Sequence, residues 1–206
     1  MKIDLTEISV VLGQKNSGKS VLIEHLLTRM RRYVVLDPNH EHGPPEAAIA
    51  HSPAELLSLW MTGETRIVVR DAPLSEEKGE EYMRAFGQLQ RAYLVIDEAH
   101  NYMSYSYIPD TLKHLVKWHV THNNCGIVLG AHKAKEIHDQ IWTQTDNYMI
   151  FSYGEHEDSK LAEASIPGKR QVHDLDPDAY QFLWYKDVSG AESEVRGPVP
   201  VPEHLS

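Results

Sequence analysis

The sequence predicts an α/β fold, a mostly parallel sheet flanked by helices. Three observations predict it. Short apolar runs of strand character alternate with amphipathic stretches of helical period along the chain. Between the first run and the first amphipathic stretch lies Gly13-Gln14-Lys15-Asn16-Ser17-Gly18-Lys19-Ser20, which fits the Walker A pattern G-x-x-x-x-G-K-[ST] without a mismatch. A later apolar run, Tyr93-Leu94-Val95-Ile96, ends in Asp97-Glu98, the Walker B arrangement.

The first element is Ile8-Ser9-Val10-Val11-Leu12, a β-branched run that reads as a buried strand. Val21 to Met30 follows the glycine loop, with Leu22, Leu26 and Met30 every four residues and Ile23 and Leu27 beside them, the apolar stripe of a helix. Arg31 and Arg32 are expected in its last turn, where cations suit the dipole. Tyr33 to Asp37 is a second strand stopped by Pro38, and His40 to Ala50 reads as a loop around Gly43-Pro44-Pro45. Ser52-Pro53-Ala54-Glu55 is a helix start with Ser as N-cap and Pro at the first position, and Gly63 ends that helix. Arg66 to Arg70 is a third strand. Ser75 caps a helix reaching Arg91, with Tyr82, Phe86 and Leu89 on one face and Gly79 and Gly87 weakening it.

After the Asp97-Glu98 strand, Asn101 to Pro109 is a loop whose Tyr102, Tyr105 and Tyr107 are better explained as packing than as a stacking surface for bases. Asp110 to His119 reads as a helix, with Lys113 and Lys117 on a solvated face. Cys125 to Ala131 is another buried strand, ending at His132-Lys133. Lys135 to Thr145 reads as helix, Asn147 to Ser152 as strand, and Glu157 to Ala164 as a helix stopped by Pro167-Gly168. Ala179 to Lys186 and Glu192 to Arg196 form a terminal hairpin around Ser189-Gly190. Residues 1–196 are expected to form a single domain and 197–206 an extended Pro-rich tail.

Composition narrows the classes. Two hundred and six residues, 41% hydrophobic and 24% charged, suffice for one domain with a sizeable core. The net charge of −10 argues against a generally basic nucleic-acid coat, though not against contact through a few loops. Cys125 is the one cysteine, so no internal disulfide forms, which fits a reducing compartment. No apolar run approaches a membrane span, and Met-Lys-Ile-Asp-Leu-Thr-Glu has no signal-peptide character. Asn39-His40-Glu41-His42 and His114, His119 and His122 invite a metal reading. Without H-E-x-x-H or a cysteine pair, solvated or core histidines are the better account.

The glycine loop explains the chemistry expected here. Its backbone N–H groups and the positive end of the following helix make a polyphosphate site, with Gly13, Gln14, Lys15, Asn16, Ser17, Gly18, Lys19 and Ser20 around the nucleotide. Lys19 is expected at the β- and γ-phosphates of ATP, and Ser20 and Asp97 at Mg2+. Glu98 is placed to orient or deprotonate the attacking water. His132, at the carboxyl end of its strand, is a candidate γ-phosphate sensor, the alternative being a satisfied surface histidine.

The order of motifs carries a resemblance. Walker A is followed by a strand ending Asp-Pro, one ending Arg-Asp, then Leu94-Val95-Ile96-Asp97-Glu98-Ala99-His100 and Gly126-Ile127-Val128-Leu129-Gly130-Ala131-His132-Lys133. Near the end stands Asp174-Leu175-Asp176-Pro177-Asp178-Ala179-Tyr180, similar to an L-x-P-x-x-[FY] ending. The chain resembles the HerA/FtsK superfamily of RecA-like P-loop ATPases. It looks most like the genome-packaging ATPases of tailless, membrane-containing icosahedral double-stranded DNA viruses. The resemblance implies an additional strand, here Cys125–Ala131, between the Walker A and Walker B strands. It implies ATP and Mg2+ as cofactors and self-association into a ring, expected as a hexamer. It also implies double-stranded DNA as partner through sequence-independent phosphate contacts, and capsid-vertex or membrane proteins as further partners, in the host cytoplasm or at the virion vertex. A basic residue from the neighbouring subunit completes each site in the family. Lys133, Arg84 and Arg91 are the candidates, because the chain has His132-Lys133 where the family usually has Gln-Arg, and Thr121-His122 where it often has Arg-His. An assembly ATPase acting on protein partners and a cellular or plasmid DNA translocase are the rival readings.

Overall fold

The computed structural model describes residues 3–70, 76–152, 172–186 and 193–202. Among them the strands form one nine-stranded sheet in the order β3-β4-β2-β5-β6-β1-β7-β8-β9. These are β1 (Ile8–Leu12), β2 (Tyr33–Leu36), β3 (Ala48–Ala50), β4 (Arg66–Val69), β5 (Tyr93–Ile96), β6 (Gly126–Ala131), β7 (Asn147–Phe151), β8 (Phe182–Lys186) and β9 (Glu194–Arg196). All pairs from β3 to β7 are parallel, while β7–β8 and β8–β9 are antiparallel. The strand β6 lies between β1 and β5, as the resemblance implied, so the Walker A and Walker B strands are second neighbours.

The parallel strands are buried on both faces, hence their continuous apolar runs. In β1, Ile8, Val10 and Leu12 enter the core on one face, and Val11 enters the other. The Val11 face is covered by α1 (Lys19–Leu27) through Leu22, Ile23, Leu26 and Leu27. Helices α2 (Pro53–Met61), α3 (Glu76–Phe86) and α4 (Asp110–His114) cover the other through Leu56, Tyr82, Met83, Phe86 and Leu112. Each such side chain contributes roughly 1.5–3 kcal/mol of burial. Ser52 caps α2 by accepting from Glu55 N at 3.1 Å, as its sequence indicates.

Several elements differ from expectation. The first helix ends at Leu27, and Arg31 and Arg32 lie beyond it. Arg32 instead places its guanidinium 4.3 Å from the Trp60 ring centroid, a cation–π contact outweighing a dipole interaction at an exposed end. The stretch expected as loop contains β3, which pairs with β4 at Ala48↔Ile67 and Ala50↔Val69. Helix α3 stops at Phe86, short of Arg91, and its N-cap position Ser75 lies outside the described residues. Gly79 does not merely weaken α3: a β-carbon there would strike the ring of fully buried Tyr102. Tyr102 is thus packing, whereas Tyr105 and Tyr107 are exposed. The helix from Asp110 runs on through a π turn (Leu115–His119) to α5 (Val120–His122).

The stretch Lys135–Thr145 is not one helix. A 3-10 turn (Ala134–Glu136) and α6 (Asp139–Trp142) flank an extended, fully buried Ile137, and His138 Nδ1 caps α6 by accepting from Gln140 N at 3.1 Å. Burial of Ile137 overrides the helical pattern. The antiparallel β8–β9 pair is the terminal hairpin, though its expected turn at Ser189-Gly190 lies outside the described residues, as does the expected helix Glu157–Ala164.

Candidate active site

The carboxyl ends of parallel strands form the crevice where α/β sheets hold ligands. At the end of β1 the glycine loop turns into α1, with Gly18 at φ 97°, the left-handed backbone that a glycine adopts without strain. At the end of β5, Asp97 and Glu98 face it. Lys19 Nζ lies 2.5 Å from Asp97 Oδ1 and 3.4 Å from Glu98 Oε1, and all three side chains are buried. Between them β6 has Gly130, where a β-carbon would collide with the Asp97 carboxylate. Glu98 itself has φ 56°, a strained conformation for a side chain of its size, and begins the 3-10 turn Ala99–Asn101.

The carboxylates are held by His42, which is a core histidine as its sequence context indicated, and by Glu24, which the sequence reading did not single out. His42, fully buried, places Nε2 2.7 Å from Asp97 Oδ2 and Nδ1 3.2 Å from Glu24 Oε1. Glu24 also accepts from Gly43 N at 2.6 Å. Burial lowers the affinity of His42 for a proton, but its hydrogen bonds to Asp97 and Glu24 outweigh this and raise its pKa to about 9. Asp97 is pushed up by burial, yet His42 and the Lys19 charge hold it well below the ordinary carboxylate range. Asp37, at the end of β2, accepts from Glu41 N at 2.9 Å and His42 N at 3.0 Å and from Arg70 Nη1 at 2.5 Å, while Arg70 Nη2 donates to His42 O at 2.8 Å. So the ends of β2 and β4 fix the loop that carries His42. Glu24 had a signal: a carboxylate inside an apolar stripe, four residues after Ser20 and so on its side of the helix.

On the other side of Glu98, His132 Nε2 is 2.8 Å and His100 Nδ1 is 3.2 Å from Oε2. His132 Nδ1 also lies 3.4 Å from Gly13 O, so this histidine touches both motifs. Glu136 Oε2 accepts from His132 N at 2.8 Å and Lys133 N at 3.1 Å, tying down the turn after β6. The other basic candidates are elsewhere. Arg84 is on α3, 3.0 Å from Glu80, and Arg91 is at the opposite, amino-terminal edge of the sheet with its N–H on Asn123 O. Neither they nor Lys133 line the cavity at the loop.

That cavity has a volume of about 910 Å3. Gln14, Lys15, Asn16, Gly18, Lys19, Ser20, Asn39, Glu41, Glu98, His100 and His132 line it, together with Val21, Phe151, Tyr180, Pro198, Val199 and Val201. The residues fit a metal–nucleotide. Ser17 Oγ, in the same loop, is buried and has no hydrogen-bond partner among the described residues. Ser20 Oγ donates to Glu41 Oε2 at 3.0 Å, and donor atoms of Glu41, His42 and Asp97 lie within 4.8 Å of one another. Hydroxyl and carboxylate oxygens suit Mg2+.

The fold is that of the P-loop NTPases, and the cavity lies where the two sequence motifs meet. The chain is similar to the genome packaging NTPase B204 from Sulfolobus turreted icosahedral virus 2 in complex with sulfate, with TM-score 0.78, 21% identity and coverage of 97% of this chain and 99% of that one. It is similar to the DNA-packaging ATPase B204 from Sulfolobus turreted icosahedral virus, with TM-score 0.73, 18% identity and coverage of 96% and 100%. It is also similar to the N-terminal domain of zonular occludens toxin from Neisseria meningitidis, with TM-score 0.54, 14% identity and coverage of 97% and 96%. These likenesses establish the fold, and it is the one the sequence resemblance implied. No protein-family model and no curated protein sequence matches the chain.

Proposed function

We propose that the protein is an ATP-hydrolysing motor that drives double-stranded DNA into a viral capsid. The observation that carries the ATPase part is the buried convergence of Lys19, Asp97 and Glu98 on the glycine loop. The packaging part is supported by the similarity, over nearly the full length of both chains, to the two packaging enzymes.

In this reading the loop residues 13–20 cradle the β- and γ-phosphates, and Lys19 exchanges its carboxylates for phosphate oxygens. Ser20 and Asp97 would hold Mg2+, with Glu41 beside them, and the ion would supply positive charge against the phosphates. Glu98 takes the proton of the attacking water. His132, in contact with Glu98 and the loop, positions that carboxylate and senses the γ-phosphate. Lys133, Arg84 or Arg91 of a neighbouring subunit supplies the cation that stabilises charge on the transferred phosphoryl group. Subunits form a ring, expected as a hexamer, working in the host cytoplasm or at the virion vertex, and DNA is gripped through phosphates. Residues 1–196 are the motor domain and 197–206 its tail.

The test is ATP hydrolysis with and without double-stranded DNA, on wild type and Glu98→Gln. The substitution is expected to leave ATP binding intact and to cut turnover about 100- to 10,000-fold. Wild-type turnover by Glu98→Gln would remove Glu98 as the base. The net charge of −10 favours one rival, an assembly ATPase acting on protein partners. Hydrolysis by an assembled ring that is indifferent to DNA would select it.

A further inference from the structure

We propose that Tyr180 and the C-terminal arm, residues 197–202, form a clamp that holds a nucleotide base by stacking rather than by reading its edge, so that ATP and GTP are both accepted. The inference rests on the nucleotide site proposed above and says what holds its other end.

The cavity lining is of two kinds. One is the phosphate loop, Lys19 and Glu98. The other is apolar: Val21, Phe151, Tyr180, Pro198, Val199 and Val201. The two kinds adjoin at Gly18, where a β-carbon would stand 3.3 Å from Phe151 Cε1 and 3.4 Å from Tyr180 Cδ1. A nucleotide with phosphates on the loop therefore leads its sugar and base out over Val21 and between these surfaces.

Tyr180 is built for this place. It is 50% exposed, and its φ of 48° is one that a bulky side chain rarely adopts. The turn that imposes it is pinned by Tyr180 N on Pro177 O at 3.1 Å and Gln181 N on Asp176 O at 3.4 Å. The arm starts beside it, Gly197 lying against the Tyr180 backbone, and is half anchored. Val199 packs against the core on the α1 face of the sheet, and Val201 is 53% exposed. A half-exposed ring and half-exposed aliphatic groups lining one cavity offer the surface that a planar base covers.

The composition of the arm decides how the base is read. Gly197-Pro198-Val199-Pro200-Val201-Pro202 has no polar side chain, and its prolines have no N–H, leaving Gly197, Val199 and Val201 as its backbone donors. A site holding its ligand by apolar contact discriminates between analogues by about 200-fold at most, against about 10,000-fold or more for one that hydrogen-bonds the distinguishing group.

Calorimetric titration of the full chain with ATP, GTP and inorganic tripolyphosphate in the presence of Mg2+ tests the clamp. ATP and GTP are expected to bind within about tenfold of each other, inside the range for apolar recognition. Tyr180→Ala is expected to weaken both about tenfold, the loss of one base–aromatic stack, and to leave tripolyphosphate binding unchanged. Tyr180→Phe is expected to bind like wild type, and Val201→Ser to weaken both nucleotides less than Tyr180→Ala. Unchanged ATP binding by Tyr180→Ala, an equal loss of tripolyphosphate binding, or rejection of GTP by about 1,000-fold or more overturns the clamp. Binding of neither ATP nor tripolyphosphate by wild type would overturn the nucleotide site itself, a distinct outcome.

Discussion

His42 sits without solvent exposure between Glu24 and Asp97, and Lys19 completes a row of alternating charges through the centre of the site. Such a row is costly to break. His42→Ala would leave two buried carboxylates short of a partner, and is expected to destabilise the ligand-free protein by about 3 kcal/mol in urea unfolding. Arg84 gives the contrast. It pairs with Glu80 at 3.0 Å, but its side chain is 66% exposed, so Arg84→Ala is expected to change stability by less than about 0.5 kcal/mol. Cys125 is fully buried, and burial pushes its thiol pKa up. A raised pKa means less thiolate at any pH below it, so native protein at pH 8 is expected to react with an alkylating reagent far more slowly than urea-unfolded protein. Equal rates would contradict the buried placement.

At the scale of elements, the site depends on β6 lying between the two motif strands without filling the space between them. Gly130→Ala tests this, because the new methyl would meet the Asp97 carboxylate and lie 3.0 Å from Ile23 Cδ1 on α1. It is expected to cost about 1–3 kcal/mol of stability, the usual range for overpacking, and to lower ATP turnover with little change in the circular dichroism spectrum. Full activity would show that Asp97 has room the structure does not indicate. The loop after β2 is the other positioning element. Asp37 and Arg70 lock it from two adjacent strands, so a change at Arg70 is transmitted to His42 through the backbone.

For the whole molecule, the relevant quantity is charge. A chain of net charge −10 meets a polyanion only where a local excess of cations overcomes the general repulsion. Any stimulation of hydrolysis by double-stranded DNA is therefore expected to fall steeply between 50 and 200 mM salt, by about tenfold or more if several phosphates are contacted. Stimulation independent of salt would contradict phosphate gripping. No helix among the described residues is long and apolar enough to cross a membrane.

The sequence by itself determined what is local. The glycine loop, the apolar strands β1, β5, β6 and β7, the cap of α2 and the Asp97-Glu98 strand end are written in contiguous residues, and their period or motif is enough to read them. Tertiary structure alone decided the rest. β3 is three residues long, too short to show a period, and exists because β4 offers it an edge. Ile137 interrupts a helical pattern because the core takes it. His42 reaches Asp97 across 55 residues and Glu24 across 18, and Tyr180 meets the loop at Gly18 and shares its cavity with the arm. Those pairings follow from which strand ends converge at one edge of the sheet, and chain spacing carries no record of that convergence.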